Sequence, residues 1–366
     1  MRDLSFDIEL RWTGTGGDGI GEIRTEDLVF DLSAPKSMGG RGVGTNPEEL
    51  LVSAVSSCYS ATLPQWDFLA LVTEEAARYP SFQLRMHAEA HDLVRRGSEV
   101  AGVRYRDERG EEHEIRALLT VAADGRDSSL RRAAGLRPRE YGAPMDVAWF
   151  RLPGVESDRE DTFLRLSPGA AGGHVAIAIN RTTYWQFGWV VPKGGYEALR
   201  ADGIEALHRQ VGESLPFLRE RTGELSLDAI SVLQVRVNRL HRWHLPGLLL
   251  IGDAAHAMSP IGGVGINLAI QDAVATANRL ATQLRSCVVR ERDLAAIQRR
   301  RWLPTAATQR TQLMLQDLVV SPTLHGRRVA ALPRLVGATR RVGLLRRLIA
   351  QLGGYGPLPE HVRIPR

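Results

Sequence analysis

Apolar and polar residues alternate at the front of the chain. Phe6, Ile8, Leu10 and Trp12 of SFDIELRW share one side of an extended segment, which predicts a half-buried strand. GTGGDG supplies turn residues, and IGEIRTEDLVFDLSAP reads as a second and third strand. The period then lengthens. In GTNPEELLVSAVSSCYSATL, Asn46 suits an N-cap, Pro47 the first helical position, and Glu48 and Glu49 the positive helix end. Leu50, Leu51, Ala54, Val55 and Cys58 recur at helical spacing, which puts Cys58 on the apolar face.

From Pro64 onward the pattern changes style. QWDFLALVTEEAARY reads as an amphipathic helix closed by Pro80, and FQLRMHAEAHDLV, EVAGVRYRD and EHEIRALLTVAAD read as three strands joined at Gly97 and Gly110. A middle section, 141–245, mixes the strands MDVAWFRL, HVAIAIN and YWQFGWVV with a helix near 195–220. GLLLIGDA predicts a buried strand that runs into a Gly-rich turn and a long helix, INLAIQDAVATANRLATQL. The remainder of the chain reads as mainly helical. No internal repeat or long low-complexity linker interrupts it.

Composition bounds the function. At 366 residues with 43% hydrophobic content, two or three domains with sizeable cores are expected. No apolar run reaches the roughly 18 residues that span a bilayer, and the N-terminus lacks a charged-then-apolar leader, so the expectation is a cytoplasmic protein without integral membrane association. Cys58 and Cys287 are the only cysteines, too few for a disulfide scaffold or a multi-Cys zinc site. The net charge of +5 hides an asymmetry: residues 285–366 hold 16 Arg against four acids. Only Trp302 and Tyr355 interleave these arginines, so a solvated helical face is favoured over a nucleic-acid surface.

Two glycine patterns compete as cofactor signals. Gly14, Gly16 and Gly19 spell GxGxxG, but that fingerprint works only between a strand and a helix, and IGEIRTEDLVFDL has no helical face. A hairpin turn is the expectation there. In LLLIGDAAHAMSPIGGVGINLAIQDA, by contrast, the strand Leu248 to Ile251 delivers Gly252 and Asp253 at its carboxyl end, where ligands bind in open α/β sheets. Asp253 can accept hydrogen bonds from sugar or ribityl hydroxyls. Gly262, Gly263 and Gly265 let backbone N–H groups approach a ligand, and a helix starting near Ile266 and Asn267 aims its positive end there. His256 and Pro260 fall in the same turn. A tight turn joining two elements is the bland alternative. His241 and His244 flank Trp243 without an acidic or Cys partner, so no metal site is expected. Trp149, Phe150, Tyr184, Trp185, Phe187 and Trp189 could line an aromatic-substrate pocket or fill the core of a sheet, about half of them going to core.

GDAAHAMSPIGGVGINLAIQDA resembles the second FAD-binding motif of flavoprotein aromatic hydroxylases of the p-hydroxybenzoate hydroxylase type. TVAADGRDSSLRRAAGL resembles the same family's DG motif, implicated in FAD and NAD(P)H interactions, and places Asp124, Gly125, Arg126, Ser128 and Arg131 at a strand end. PQWDFLALVTEEA resembles the segment in which a Gln contacts the flavin, which implies Gln65 as a ligand. This resemblance covers about 64–366. It implies FAD as cofactor, NAD(P)H as electron donor, and hydroxylation of an aromatic or polyketide-like small molecule. Asp253 would hold the ribityl chain, and Pro260 to Asn267 would present backbone donors to the flavin. The strand, GxGxxG turn and helix that open such enzymes have no counterpart ahead of Gln65.

The front of the chain carries a second resemblance. WTGTGGDGIGEI and GTNPEELLVSAVSSCYSATL look like the first half of an OsmC/Ohr-family thiol peroxidase, in which Cys58 matches the peroxidatic thiol. The matching second Cys is missing. The fold class expected is therefore α/β with an α+β substrate domain: an incomplete FAD-binding Rossmann-like domain plus a mixed-sheet substrate domain, preceded by an OsmC-like fragment. The expected divisions are 1–62 (OsmC-like), 63–140 (partial FAD-binding domain), 141–245 (substrate sheet and helix), 246–285 (second FAD motif and helix) and 286–366 (Arg-rich helices). Three readings stand open: a flavin monooxygenase, a Cys58 thiol peroxidase, and a truncated fusion product with neither activity. A homo-oligomer or a complementing chain is expected to cover what the incomplete domains expose.

Overall fold

The computed structural model describes residues 9–13, 20–24, 29–33, 65–155, 164–168, 174–181, 183–326 and 356–363. The chain divides into two units, Met1–Tyr59 and Ser60–Arg366. In the first, β1 (Glu9–Thr13), β2 (Ile20–Arg24) and β3 (Val29–Ser33) form an antiparallel sheet in that order. Thr13 pairs with Ile20, so the GxGxxG glycines join two antiparallel strands and no helix follows them. The helix expected to carry Cys58 lies outside the described residues.

The second unit opens with α1 (Gln65–Ala77), which leaves Leu69, Leu71 and Val72 exposed rather than buried along one stripe. Then β4 (Glu89–Arg96), β5 (Glu99–Arg106) and β6 (Glu112–Arg116) form an antiparallel meander. The segment EHEIRALLTVAAD, expected as one strand, is two. After Arg116 the chain leaves β5, with a last bond from Ala117 N–H to the Ala101 carbonyl, and Thr120 N–H bonds to Gly247 instead. There β7 (Thr120–Ala122) joins a different sheet. A period of two reports which face a side chain takes, not which sheet a strand enters.

The chain continues through α2 (Ser129–Ala133) and β8 (Arg139–Glu140) into a five-stranded antiparallel sheet. Its strands are β9 (Met145–Pro153), β10 (Leu164–Pro168), β11 (Val175–Asn180), β12 (Tyr184–Pro192) and, after α3 (Gly195–Ala201) and α4 (Ile204–Ser214), β13 (Ser231–Leu233). The order is β10-β11-β12-β9-β13. The helix expected near 195–220 is thus broken at Gly203 and ends in a 3-10 segment, Pro216–Glu224. One face of the sheet is sealed: Phe150, Trp185, Phe187 and Trp189 pack against Leu199, Leu207, Val211 and Leu218. Each such side chain, once fully buried, contributes about 1.5–3 kcal/mol or more.

Two short strands, β14 (Asn238–Arg239) and β15 (His244–Leu245), lead to β16 (Leu248–Leu250). β16 pairs with β15 antiparallel and with β7 in parallel, Leu248 opposite Thr120 and Leu250 opposite Ala122. Its three leucines are completely buried, as a run apolar on both faces requires. Leu248 and Leu250 join Leu93, Val100 and Trp243 on one side, while Leu249 meets Ala275, Leu280, Leu294 and Ile297 on the other. Those partners belong to the closing helices, which come after the short α5 (Asp253–His256): α6 (Gly265–Arg285) and α7 (Glu291–Leu315). A π-helical turn, Gln316–Val320, and α8 (Ser321–Leu324) extend α7.

Candidate functional site

The parallel pairing of β7 and β16 brings together two loops far apart in sequence. Both strands end at the same edge, so the DG loop and the GD turn emerge side by side. Arg126 Nη2 meets Asp253 Oδ2 at 3.1 Å, 127 positions along the chain. Both side chains keep about 30% exposure, 29% and 30%. A pair this wet contributes at most about 1 kcal/mol, so its value is to aim two hydrogen-bonding groups at one place.

Asp253 can stand there because of Gly252. That residue turns the chain with φ 56 and ψ −143, and a Cβ on it would sit 3.1 Å from the Ala269 methyl. Only glycine satisfies both demands. Behind the turn lies a sealed polar network. Asp272, on the apolar side of α6, accepts from Gly252 N–H at 3.0 Å and His256 Nε2 at 2.6 Å through one oxygen. Its other oxygen accepts from Arg301 Nε at 3.0 Å. Asp272 and Arg301 have no exposed surface and His256 has 1%. Burial alone would raise the Asp272 pKa. The His256 and Arg301 charges and the Gly252 N–H outweigh it, so the carboxyl titrates below its usual range.

The Gly-rich loop is held from α7. Gln309, Gln312 and Gln316 succeed one another at three- and four-residue spacing, on one helix face. Gln309 Nε2 donates to the Asn238 and Ala257 carbonyls, Gln312 Nε2 to those of Ser259 and Ile261, and Gln316 Nε2 to Ser259 Oγ, all within 3.0 Å. This ladder fixes the backbone from Ala257 to Ile261. The loop then passes through Gly262 and Gly263 at positive φ (78 and 63) into α6. Val264 stands at the N-cap of that 21-residue helix and offers no side-chain acceptor. The first-turn N–H groups, at Gly265, Ile266 and Asn267, therefore form a donor-rich, positive end.

The residues expected at the site divide accordingly. Arg126, Gly252, Asp253, Pro260, Gly262, Gly263, Gly265, Ile266 and Asn267 belong to the two adjoining loops. Gly125 turns the DG loop at φ 82. Asp124 is exposed but turns its carboxylate to the start of α2, where its oxygens accept from Ser128 Oγ at 2.5 Å and Leu130 N–H at 3.0 Å. Arg131, expected near the cofactor phosphates, is 6% exposed and spends its guanidinium on the Ala254 and Arg126 carbonyls. It clamps the two loops together from behind. Gln65 is the first residue of α1, and Cys58 lies outside the described residues. Asp272, Arg301 and the glutamine ladder were missed; a charge inside an apolar helical stripe and the repeated Gln spacing were the available signals.

The aromatic residues separate by strand parity. Phe150, Trp185, Phe187 and Trp189 are core on the sealed face. Trp149 and Tyr184 point to the opposite face, where Tyr184 lies under the Arg151 guanidinium at 4.8 Å.

These groups fit the flavin and ribityl part of an FAD: a partly exposed carboxylate for hydroxyls, and an uncapped helix end beside two positive-φ glycines for an electron-rich ring edge. A strand, glycine turn and helix for the ADP part is not found among the described residues. The fold is that of an α/β protein with an antiparallel sheet inserted between the DG loop and the GD turn. The chain belongs to the FAD binding domain family, which matches residues 20–311 and so reaches ahead of Pro64. It is 32% identical over 307 residues to 6-methylpretetramide 4-monooxygenase from Streptomyces rimosus, covering 82% of this chain and 71% of that protein. It spans little more than half the length of two further curated relatives, 55% and 52%. Among solved structures, OxyS anhydrotetracycline hydroxylase from S. rimosus shares the fold with a TM-score of 0.60 at 20% identity, over 80% of this chain and 56% of that one. A 63-residue stretch, 17% of the chain, is 41% identical to YmaD, an uncharacterized protein from Bacillus subtilis, and covers 41% of it. No helix among the described residues is long and apolar enough to cross a membrane.

Proposed function

We propose that this chain is a cytoplasmic FAD-dependent monooxygenase that hydroxylates a polycyclic aromatic, polyketide-like small molecule with NAD(P)H and oxygen. The observation that carries the reading is the meeting of Arg126 and Asp253 at the shared end of β7 and β16, beside the uncapped start of α6. Membership of the FAD binding domain family and the likeness to 6-methylpretetramide 4-monooxygenase support it. Bound FAD supplies the redox chemistry of the hydroxylation. The chain's own residues bind and orient. Asp253 accepts hydrogen bonds from ribityl hydroxyls, with Arg126 aiming its carboxylate. Gln65 is assigned to the flavin by family resemblance. The N–H groups of Gly262, Gly265 and Ile266 stabilise negative charge at the ring edge as it develops, acting from a loop whose approach is fixed by the glutamine ladder.

The test is a visible spectrum of the purified chain after incubation with FAD and desalting. Retained flavin bands that weaken in Asp253→Ala are expected. A colourless wild-type protein that is folded by circular dichroism would overturn the reading.

A further inference from the structure

The second face of the five-stranded sheet is built differently from the sealed one. Buried Met145, Val147, Val190, Val235 and Leu324 form its base. Over them lie partly buried apolar groups from three places: Trp149, Ile177 and Leu233 from the sheet, Ile261 from the Gly-rich loop, and Val320 from the π-helical turn. A row of paired residues crosses the sheet here: Ser231, Trp149, Gly188, Ile177. Gly188 is the gap in that row. A Cβ on it would stand 3.2 Å from both Cη2 and Cζ3 of Trp149 and 3.4 Å from Val147 Cγ1, so the six-membered ring of Trp149 lies over the glycine.

The indole is lowered against the sheet because position 188 has no side chain. Two further apolar groups of this face come from the loop assigned to the flavin and from the π turn, a feature that recurs at functional sites. Apolar side chains converging from three elements and left partly uncovered suit a flat apolar ligand, whereas the other face of the same sheet leaves Trp185, Phe187 and Trp189 no exposure at all.

We propose that these groups bound a slot, that Trp149 is its stacking wall for a planar, fused-ring phenol, and that Gly188 sets its width by letting the indole lie down. The assignment rests on the monooxygenase reading for the placing of the flavin, but the contact of Trp149 with Gly188 is part of the fold. Any side chain at 188 lifts the ring towards the ligand and narrows the slot. A fused-ring ligand covers the whole indole, while a single ring covers only part of it.

Equilibrium dialysis of the full chain against 1,8-dihydroxyanthraquinone, with 4-hydroxybenzoate as the single-ring comparison, tests this. Trp149→Ala is expected to weaken the tricycle by about 3- to 10-fold, the usual worth of an aromatic pair, and Trp149→Phe by less than about 3-fold. Gly188→Ala should weaken the tricycle by at least about 3-fold while leaving 4-hydroxybenzoate nearly unchanged. An unchanged tricycle affinity in both Trp149→Ala and Gly188→Ala would overturn the proposal, as would a wild-type chain that does not take up the tricycle. Dialysis is run with and without FAD. Loss of flavin retention with Trp149-dependent dye binding intact would sink the cofactor reading and leave the slot standing.

Discussion

Replacing Asp272 with asparagine keeps the shape of the side chain and removes its charge from beneath the cofactor loops. Arg301 would then be a guanidinium without exposed surface and without a counter-charge, its other protein acceptor being the Leu358 carbonyl at 3.5 Å. The amide NH2 would also face a donor, either Arg301 or the pair formed by His256 and Gly252. Breaking a buried pair from one side costs about 3–5 kcal/mol, a large part of a usual net stability of about 5–15 kcal/mol. Urea unfolding monitored by circular dichroism reads this directly. With a slope of about 3 kcal/mol/M, the upper end for small proteins, the midpoint should fall by about 1–1.7 M. The double variant Asp272→Asn with Arg301→Met should recover much of the loss, because neither charge is then stranded. The Asp272 pKa is below its free value of 3.8 in the fold, so this contribution is complete at neutral pH and disappears only as acid protonates the folded carboxyl. A single variant within about 1 kcal/mol of wild type, or a double variant as unstable as the two singles added, would refute the reasoning.

Two groups outside the cofactor loops give further expected outcomes. His174 stacks on Trp189 at 4.0 Å and burial lowers its pKa to about 4, so the fold favours the neutral ring. Stability is full above the free value of 6.5 and declines as pH falls towards 4; between pH 7 and 5, the unfolding free energy of wild type from urea curves should drop by on the order of 1 kcal/mol more than that of His174→Gln, solvent access at the ring screening the larger limiting value. Parallel curves would contradict this. Asp146, 4% exposed, accepts from Lys193 Nζ, Gly194 N–H and Val235 N–H at 2.7, 2.9 and 2.9 Å. Asp146→Ala strands two backbone donors and should cost about 2–4 kcal/mol, lowering the melting temperature by roughly 5–10 °C, whereas Lys193→Met removes a half-exposed cation and should cost about 1 kcal/mol. Equal losses would show that the backbone bonds are not what Asp146 supplies.

The sequence made local features plain and long-range ones invisible. The LLLI run, the GD turn and the helix from Gly265 were legible because each is written in consecutive residues with a distinct period. The hairpin around Gly14, Gly16 and Gly19 was legible because no helical face came after it. That Thr120 would lie beside Leu248 could not be read, since pairing between distant strands leaves no mark on either one. The Arg126–Asp253 contact depends on it. The aromatic residues were half legible: Trp185, Phe187 and Trp189 share a parity, but only the helices of the fold decide that this parity is the core. The bond from Arg131 to the Ala254 carbonyl was illegible for the same reason, that partner lying more than a hundred positions away.

The parallel pair of β7 and β16 also has a kinetic meaning. Everything between them, the five-stranded sheet with its helices included, is an excursion that leaves one strand and returns to its neighbour. Closing so long a loop as free chain carries an entropic penalty on the order of 4 kcal/mol, set against two three-residue strands, one wet ion pair, the Arg131 clamp and the burial of the β16 leucines. Folding the excursion first removes that penalty and carries β16 back to β7. On this account the cofactor face is among the last parts of the unit to assemble, and its order of appearance is set by the Trp185–Trp189 core on the far side of the sheet.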